Sequence, residues 1–186
     1  MHIACITGDG SFPADQLLSE VAARCMAMGL QICGVVQQDR DAAPGRKCHM
    51  EIVVLPDGPK LRISQDRGEL ARGCRLDADA LERAVAQTAQ RLVPETDLLI
   101  VNKFGKHEAM GRGFRPVIAQ AVDLQIPVVL AVSPLNREAL DHFAEGAVQF
   151  LSHDSQAVID WVAQTTTGLG RTAMVSRGNW AARSRR

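Results

Sequence analysis

The chain carries no excess charge of either sign. Its 21 lysines and arginines balance 21 aspartates and glutamates over 186 residues, which removes the global attraction that nucleic acid or an anionic membrane surface would use. No apolar stretch approaches the roughly 20 residues of a bilayer span. The opening MHIACITGDG reaches glycine too soon for a signal peptide, so the expected location is cytoplasmic. The five cysteines, Cys5, Cys25, Cys33, Cys48 and Cys74, are an odd number, and three lie in apolar segments. They read as small core residues of a reduced protein and not as a disulfide framework. No internal repeat or low-complexity segment is evident. What remains is an ordinary globular composition, 46% hydrophobic and 23% charged, long enough for one well-buried α/β domain and short for two.

Strand and helix signals alternate along the chain. A strand over His2–Thr7 leads through Gly8-Asp9-Gly10-Ser11 to a helix from Pro13. Its apolar face is Leu17, Leu18, Val21, Cys25 and Met28, and Gly29 stops it. Ile32–Val36 is a second strand, followed by a polar loop over Gln37–Lys47. Met50–Leu55, Pro56–Pro59 and Leu61–Ser64 read as a β-hairpin or an excursion at the sheet edge. Asp77 caps a helix with the face Leu81, Ala84, Val85, Ala89, Leu92. The unbroken apolar run Leu98–Val101 is a strand buried on both faces, and Pro127–Val132 is another. A helix carrying Phe114, Val117, Ile118, Ala121 and Val122 lies between them; Asn136–Phe143, Ala147–Leu151 and Ser155–Ala163 complete the alternation. The pattern stops after Gln164. The division is therefore a single α/β domain over residues 1–164 and a basic tail over 165–186, read as a solvated terminus.

The chemistry collects behind the central strand. Asn102, Lys103, Lys106, Glu108 and Arg112 follow the apolar run, interleaved with Gly105, Gly111 and Gly113. In an open parallel sheet, ligands bind beyond the carboxyl ends of the strands, so these cations stand where an anion would be held. Glu108 has two roles open to it, completing that site or pairing with a lysine. The loop Gly8-Asp9-Gly10-Ser11 stands where a P-loop would, but no lysine follows, Pro13 removes an N–H donor, and Asp9 and Asp15 repel polyphosphate. Arg67, Arg72 and Arg75 surround Gly68, Gly73 and Cys74, and arginine binds oxyanions through two parallel bonds. Cys48 and His49, with Cys74, offer soft metal ligands at a spacing unlike any zinc signature; no metal is expected. The histidines make no triad with a nucleophile.

The set of motifs resembles the small P-loop nucleoside-triphosphatases known as the cancer-related NTPase family, from the first strand to the strand at Pro127. It is still more similar to a bacterial family of unknown function that shares NKFGKxExxGRGF (Asn102–Phe114), ISQxRG (Ile63–Gly68) and GCRLD (Gly73–Asp77). The resemblance implies a P-loop-NTPase-like three-layer sandwich: a mostly parallel sheet, helices on both faces and a small β-hairpin excursion. It also implies an association with molybdate-transport genes. The triphosphatases end the central strand in an Asp-Glu pair that serves magnesium and the attacking water; Asn102 and Lys103 stand there in this chain. The expectation is a small-anion or nucleotide-binding protein with a degenerate P-loop, in a regulatory or carrier role in molybdate or metal handling. Its ligand site is Gly8, Asp9, Gly10, Ser11, Arg75, Asn102, Lys103, Lys106, Glu108 and Arg112. The ligand is a nucleotide or an oxyanion such as phosphate or molybdate, and a homo-oligomer or a protein partner remains open. The alternatives are a nucleotide-dependent phosphohydrolase or transferase with rearranged catalytic residues, and an interaction module with a vestigial cleft.

Overall fold

Seven strands form one sheet in the order β4-β3-β2-β5-β6-β1-β7. The computed structural model describes residues 1–7, 14–38, 50–65 and 76–169. The strands are β1 (Ile3–Thr7), β2 (Ile32–Gln37), β3 (Glu51–Leu55), β4 (Lys60–Arg62), β5 (Leu98–Phe104), β6 (Val128–Val132) and β7 (Val148–Leu151). Pairings among β2, β5, β6, β1 and β7 are parallel, whereas β2–β3 and β3–β4 are antiparallel. The expected hairpin is thus also the excursion at the sheet edge. All the parallel strands end at the same side of the sheet.

The helices are α1 (Ala14–Ala27), α2 (Ala78–Arg91), α3 (Lys106–Ala109), α4 (Arg115–Asp123), α5 (Arg137–Phe143) and α6 (Ser155–Gly168). Alternation along each strand sends successive side chains to opposite faces, and β5 displays this directly. Leu98 and Ile100 pack with Leu18, Val21 and Cys25 of α1 and Val158 and Val162 of α6. Leu99 and Val101 pack with Leu81 and Ala84 of α2, Ile118 of α4 and Leu140 of α5. Each of the four β5 residues is fully buried, and such burial stabilises by about 1.5–3 kcal/mol per side chain. The three-layer α/β sandwich follows from this two-sided core.

Local signals place the ends. The Asp77 carboxylate accepts the Ala80 N–H at 3.0 Å and caps α2, and Gly29 turns the chain at φ +83° after α1. Three expectations need correction. Met28 does not join the buried face: it lies at the exposed C-terminal end of α1, where its N–H still donates to the Arg24 carbonyl at 3.0 Å but its side chain faces solvent. The central strand runs on to Phe104, so Asn102 and Lys103 belong to its carboxyl end and do not follow it. Helix α6 continues to Gly168, beyond the point where the apolar pattern stops. Hydroxyls of Thr166 and Thr167 bond back to the carbonyls of Val162 and Ala163 at 2.8 and 2.7 Å, which accommodates threonines of low helix propensity.

Cys5, Cys25 and Cys33 are buried. Burial pushes the Cys5 thiol from 9.0 up to about 12, and the Cys25 and Cys33 thiols up to about 11. Well below pH 9 all three are protonated in both folded and unfolded chains, and they add no pH dependence. Above it the unfolded chain releases protons that the folded chain retains, so stability falls as pH rises from 9 toward 11 and 12. The expected loss between about pH 8 and about pH 10 is on the order of 4 kcal/mol, read as a lower urea midpoint. Equal midpoints at the two values would refute it.

Candidate functional site at the carboxyl end of the central strand

The end of β5 is irregular in a way that aims its side chains. Val101 pairs with Leu130 and Phe104 with Val132, so three steps on β5 oppose two on β6. The resulting bulge falls on Asn102 and Lys103. Bulges of this kind re-aim side chains and gather beside functional sites. Here it returns Phe104 to the α2/α4/α5 face, where its ring meets that of Phe143 at 6.0 Å. Asn102 turns to the opposite face and Lys103 to solvent.

Asn102 is only 6% exposed. Its Oδ1 accepts the backbone N–H of Gln37 at 3.0 Å. Its Nδ2 donates to Asp15 Oδ1 at 2.9 Å and approaches Gln37 Oε1 at 3.4 Å. Helix α1 crosses from β1 to β2 over this face, which carries Asp15, in its first turn, to the end of β5. One amide thus ties together three elements, β2, β5 and α1.

Glu108 is the second buried polar group, at 4% exposure. Sequence left it either a ligand or a lysine partner. Its carboxylate instead faces the backbone of its own loop: Oε2 accepts the Gly105 N–H at 2.8 Å, and Oε1 accepts the Phe114 N–H at 3.0 Å. It is the third residue of the one-turn helix α3, reaching back to Gly105 immediately before the helix, as the acid of a capping box does. Gly113 adopts φ +60°, and a Cβ there would collide with Glu108 Oε1. The Gly113 N–H donates to Glu82 Oε1 of α2 at 3.2 Å. Arg115 donates to the Glu108 carbonyl at 3.4 Å and lies 4.7 Å from the Phe143 ring. Most of the GKxExxGRGF pattern is therefore a self-braced loop, with Glu108 and Gly113 inside.

The cations are outside it. Lys103, Lys106 and Arg112 are exposed. Among the described residues the ion pair found is Arg24–Glu20, at 3.7 Å and distant in sequence; neither lysine has a hydrogen-bond partner there. Arg112 lies 3.7 Å from the Met110 sulfur. Gly8, Asp9, Gly10, Ser11, Arg75, Cys48, His49 and Cys74 fall outside the described residues, as does the tail from residue 170. Sequence reasoning missed Gln37, Glu82 and Arg115. Gln37 was the most accessible of these, a polar residue closing the apolar run of β2.

The family model for a protein of unknown function, DUF2478, matches residues 3–161. The chain belongs to the DUF2478 family. It is 33% identical over 157 residues to the molybdenum import ATP-binding protein ModC 2 of Bradyrhizobium diazoefficiens, covering 84% of this chain and 18% of that protein. It is 30% identical over 95 residues to the nucleoside-triphosphatase THEP1 of Methanopyrus kandleri, which covers 50% of this chain and 52% of the relative. The DUF2478 chain thus spans about a fifth and about half of the lengths of these two proteins. Two solved structures share its fold. The solution structure of a human cancer-related nucleoside triphosphatase aligns at TM-score 0.62 and 14% identity, over 91% of this chain and 97% of that one. The crystal structure of THEP1 from Aquifex aeolicus aligns at TM-score 0.55 and 15% identity, over 90% and 98%. The DUF2478 fold is that of the P-loop nucleoside triphosphatases. No described helix is long and apolar enough to cross a membrane.

Proposed function

We propose that this chain binds a small oxyanion or a nucleotide at the carboxyl end of β5, in a regulatory or carrier role in molybdate handling. The observation that carries the reading is the braced loop: Glu108 and Gly113 fix the backbone from the inside, while Lys103, Lys106 and Arg112 remain on its exposed side. Cations at and just beyond a strand end, with no acidic partner among the described residues, favour an anion. A nucleotide as ligand is supported by the relatives, one named an ATP-binding protein and another a nucleoside-triphosphatase. The molybdate context is supported by the name of the first relative, a molybdenum import protein. The Gly8–Ser11 loop and Arg75 enter this reading on their sequence alone.

Phosphate, molybdate and ATP should each be tested by thermal shift. At 100 times its Kd a ligand stabilises the folded state by about 2.7 kcal/mol. Lys106→Ala should abolish the shift while changing the stability of the free protein by no more than about 0.5 kcal/mol, as for other exposed positions. No shift with any anion would remove the reading. A second reading, a nucleotide-dependent phosphohydrolase or transferase, is favoured by the fold neighbour named a nucleoside triphosphatase. Phosphate release from ATP or GTP above background and lost in Lys106→Ala would select it. The binding reading expects none, because phosphoryl transfer depends on positioning and charge stabilisation, and Lys103 is no substitute for a carboxylate base.

A further inference from the structure

The bond between Asp15 and Asn102 joins the two places where a P-loop protein holds magnesium. Counted from Gly8, the pattern G-x-x-x-x-G-K-[ST] puts Asp15 at the metal-holding hydroxyl. Asn102 stands at the end of the central strand, where an aspartate holds the same ion. An exchange that merely redistributed ligands would leave oxygens from both residues facing a common point. The hydrogen bonds set them otherwise. The Gln37 N–H can only donate, so the atom 3.0 Å from it is the Asn102 oxygen. The amide hydrogens therefore face the Asp15 carboxylate at 2.9 Å. A cation lodged between the two would meet the positive end of the amide dipole. Reversing the amide would set its NH2 against the part-buried Gln37 N–H, at a cost of up to about 1–3 kcal/mol for the unmet donor. Magnesium also demands near-octahedral oxygen ligands at about 2.0–2.1 Å. The pair does not fit it.

We infer that the Asp15–Asn102–Gln37 network stands in place of the divalent cation, and that the anion site takes its ligand as a metal-free oxyanion. Among the described residues, the network closes the gap between the start of α1 and the ends of β5 and β2 with hydrogen bonds. The ligand half of this inference rests on the binding reading above; the metal half does not.

The metal half is tested with Mn²⁺ alone on the full chain, by water-proton relaxation and melting temperature. Wild type should show no saturable Mn²⁺ binding that Asp15→Ala removes. Asn102→Asp should place two like charges within hydrogen-bond reach, lower the melting temperature in EDTA, and regain it with Mn²⁺, with at least tenfold tighter binding than wild type. Wild-type Mn²⁺ binding that depends on Asp15 would overturn the inference. Failure of the Asn102→Asp chain to gain metal binding would overturn the assignment to Asn102. If that variant does not fold, wild type decides through a phosphate titration. The phosphate-induced shift should be equal in EDTA and in Mg²⁺. A shift seen only with Mg²⁺ would overturn metal independence and leave the anion site standing. No shift in either, with no Asp15-dependent Mn²⁺ binding, would overturn the anion site and leave the network as the metal's replacement.

Discussion

Replacing Glu108 by alanine should cost about 3–5 kcal/mol of folding stability, although Glu108 sits in a loop rich in exposed charge. Its carboxylate is buried and accepts two backbone N–H groups, from Gly105 and Phe114. Hydrogen bonds to charged groups contribute roughly 1.5–3 kcal/mol each. Removal leaves both donors without an acceptor, and Phe114 is itself buried. Glu108→Gln should cost about half as much: one oxygen remains, but the NH2 now opposes the other N–H. Glu108→Asp should not recover wild type, because a shorter side chain cannot span Gly105 and Phe114 together. Urea unfolding of the three variants, with Lys106→Ala alongside, reads the order directly. The brace would be disproved by Glu108→Ala lying within about 0.5 kcal/mol of wild type, the ordinary range for exposed positions. The comparison also separates the roles within the motif. Loss of stability at Glu108 and loss of anion response at Lys106 are expected in different variants.

The sheet was legible because its signals are local. Leu98–Val101 and Pro127–Val132 are apolar without interruption, as strands covered on both faces must be, and helix faces recur at three and four. The hairpin declared itself through Pro56–Pro59. The site was less legible because its contacts are not local. Asp15 and Asn102 are 87 residues apart and Gln37 and Asn102 are 65 apart, and no spacing rule reaches that far. The bulge at Asn102–Lys103 was invisible too, since an extra residue in a strand leaves composition unchanged. Glu108 is the instructive case. Its spacing of three from Gly105 is that of a capping box, yet a charge beside lysines reads first as an ion-pair partner. Burial decided between the two, and burial was not in the motif. Helix α6 ran long for a similar reason: Thr166 is buried, its hydroxyl bonded to the Val162 carbonyl, and that burial is not visible in a run of threonines.

Gly34→Ala should be the most damaging alanine substitution among the described glycines, with a loss of about 4 kcal/mol or more, a size reserved for identifiable defects. Gly34 lies in the middle of β2, between Ile100 of β5 and Leu55 of β3. Its φ of +126° is one that L side chains rarely adopt. A Cβ at this position would overlap the backbone carbonyl of Ile100, which belongs to the central strand and cannot rotate away as a side-chain tip would. Relief requires β2 to move off β5. That motion would carry Gln37, three residues further along β2, away from Asn102, whose Oδ1 it satisfies. Two consequences are expected together: cooperative unfolding at much lower urea and, in any folded remainder, loss of hydrogen-exchange protection at the Gln37 amide. Gly111→Ala is the control, since it shares a positive φ of +82° but has open space around its Cβ. It should cost only the backbone strain, about 1–2 kcal/mol. Similar losses at Gly34 and Gly111 would show that backbone strain alone matters here, and that the close approach of β2 to β5 does not hold the Asn102 network in place.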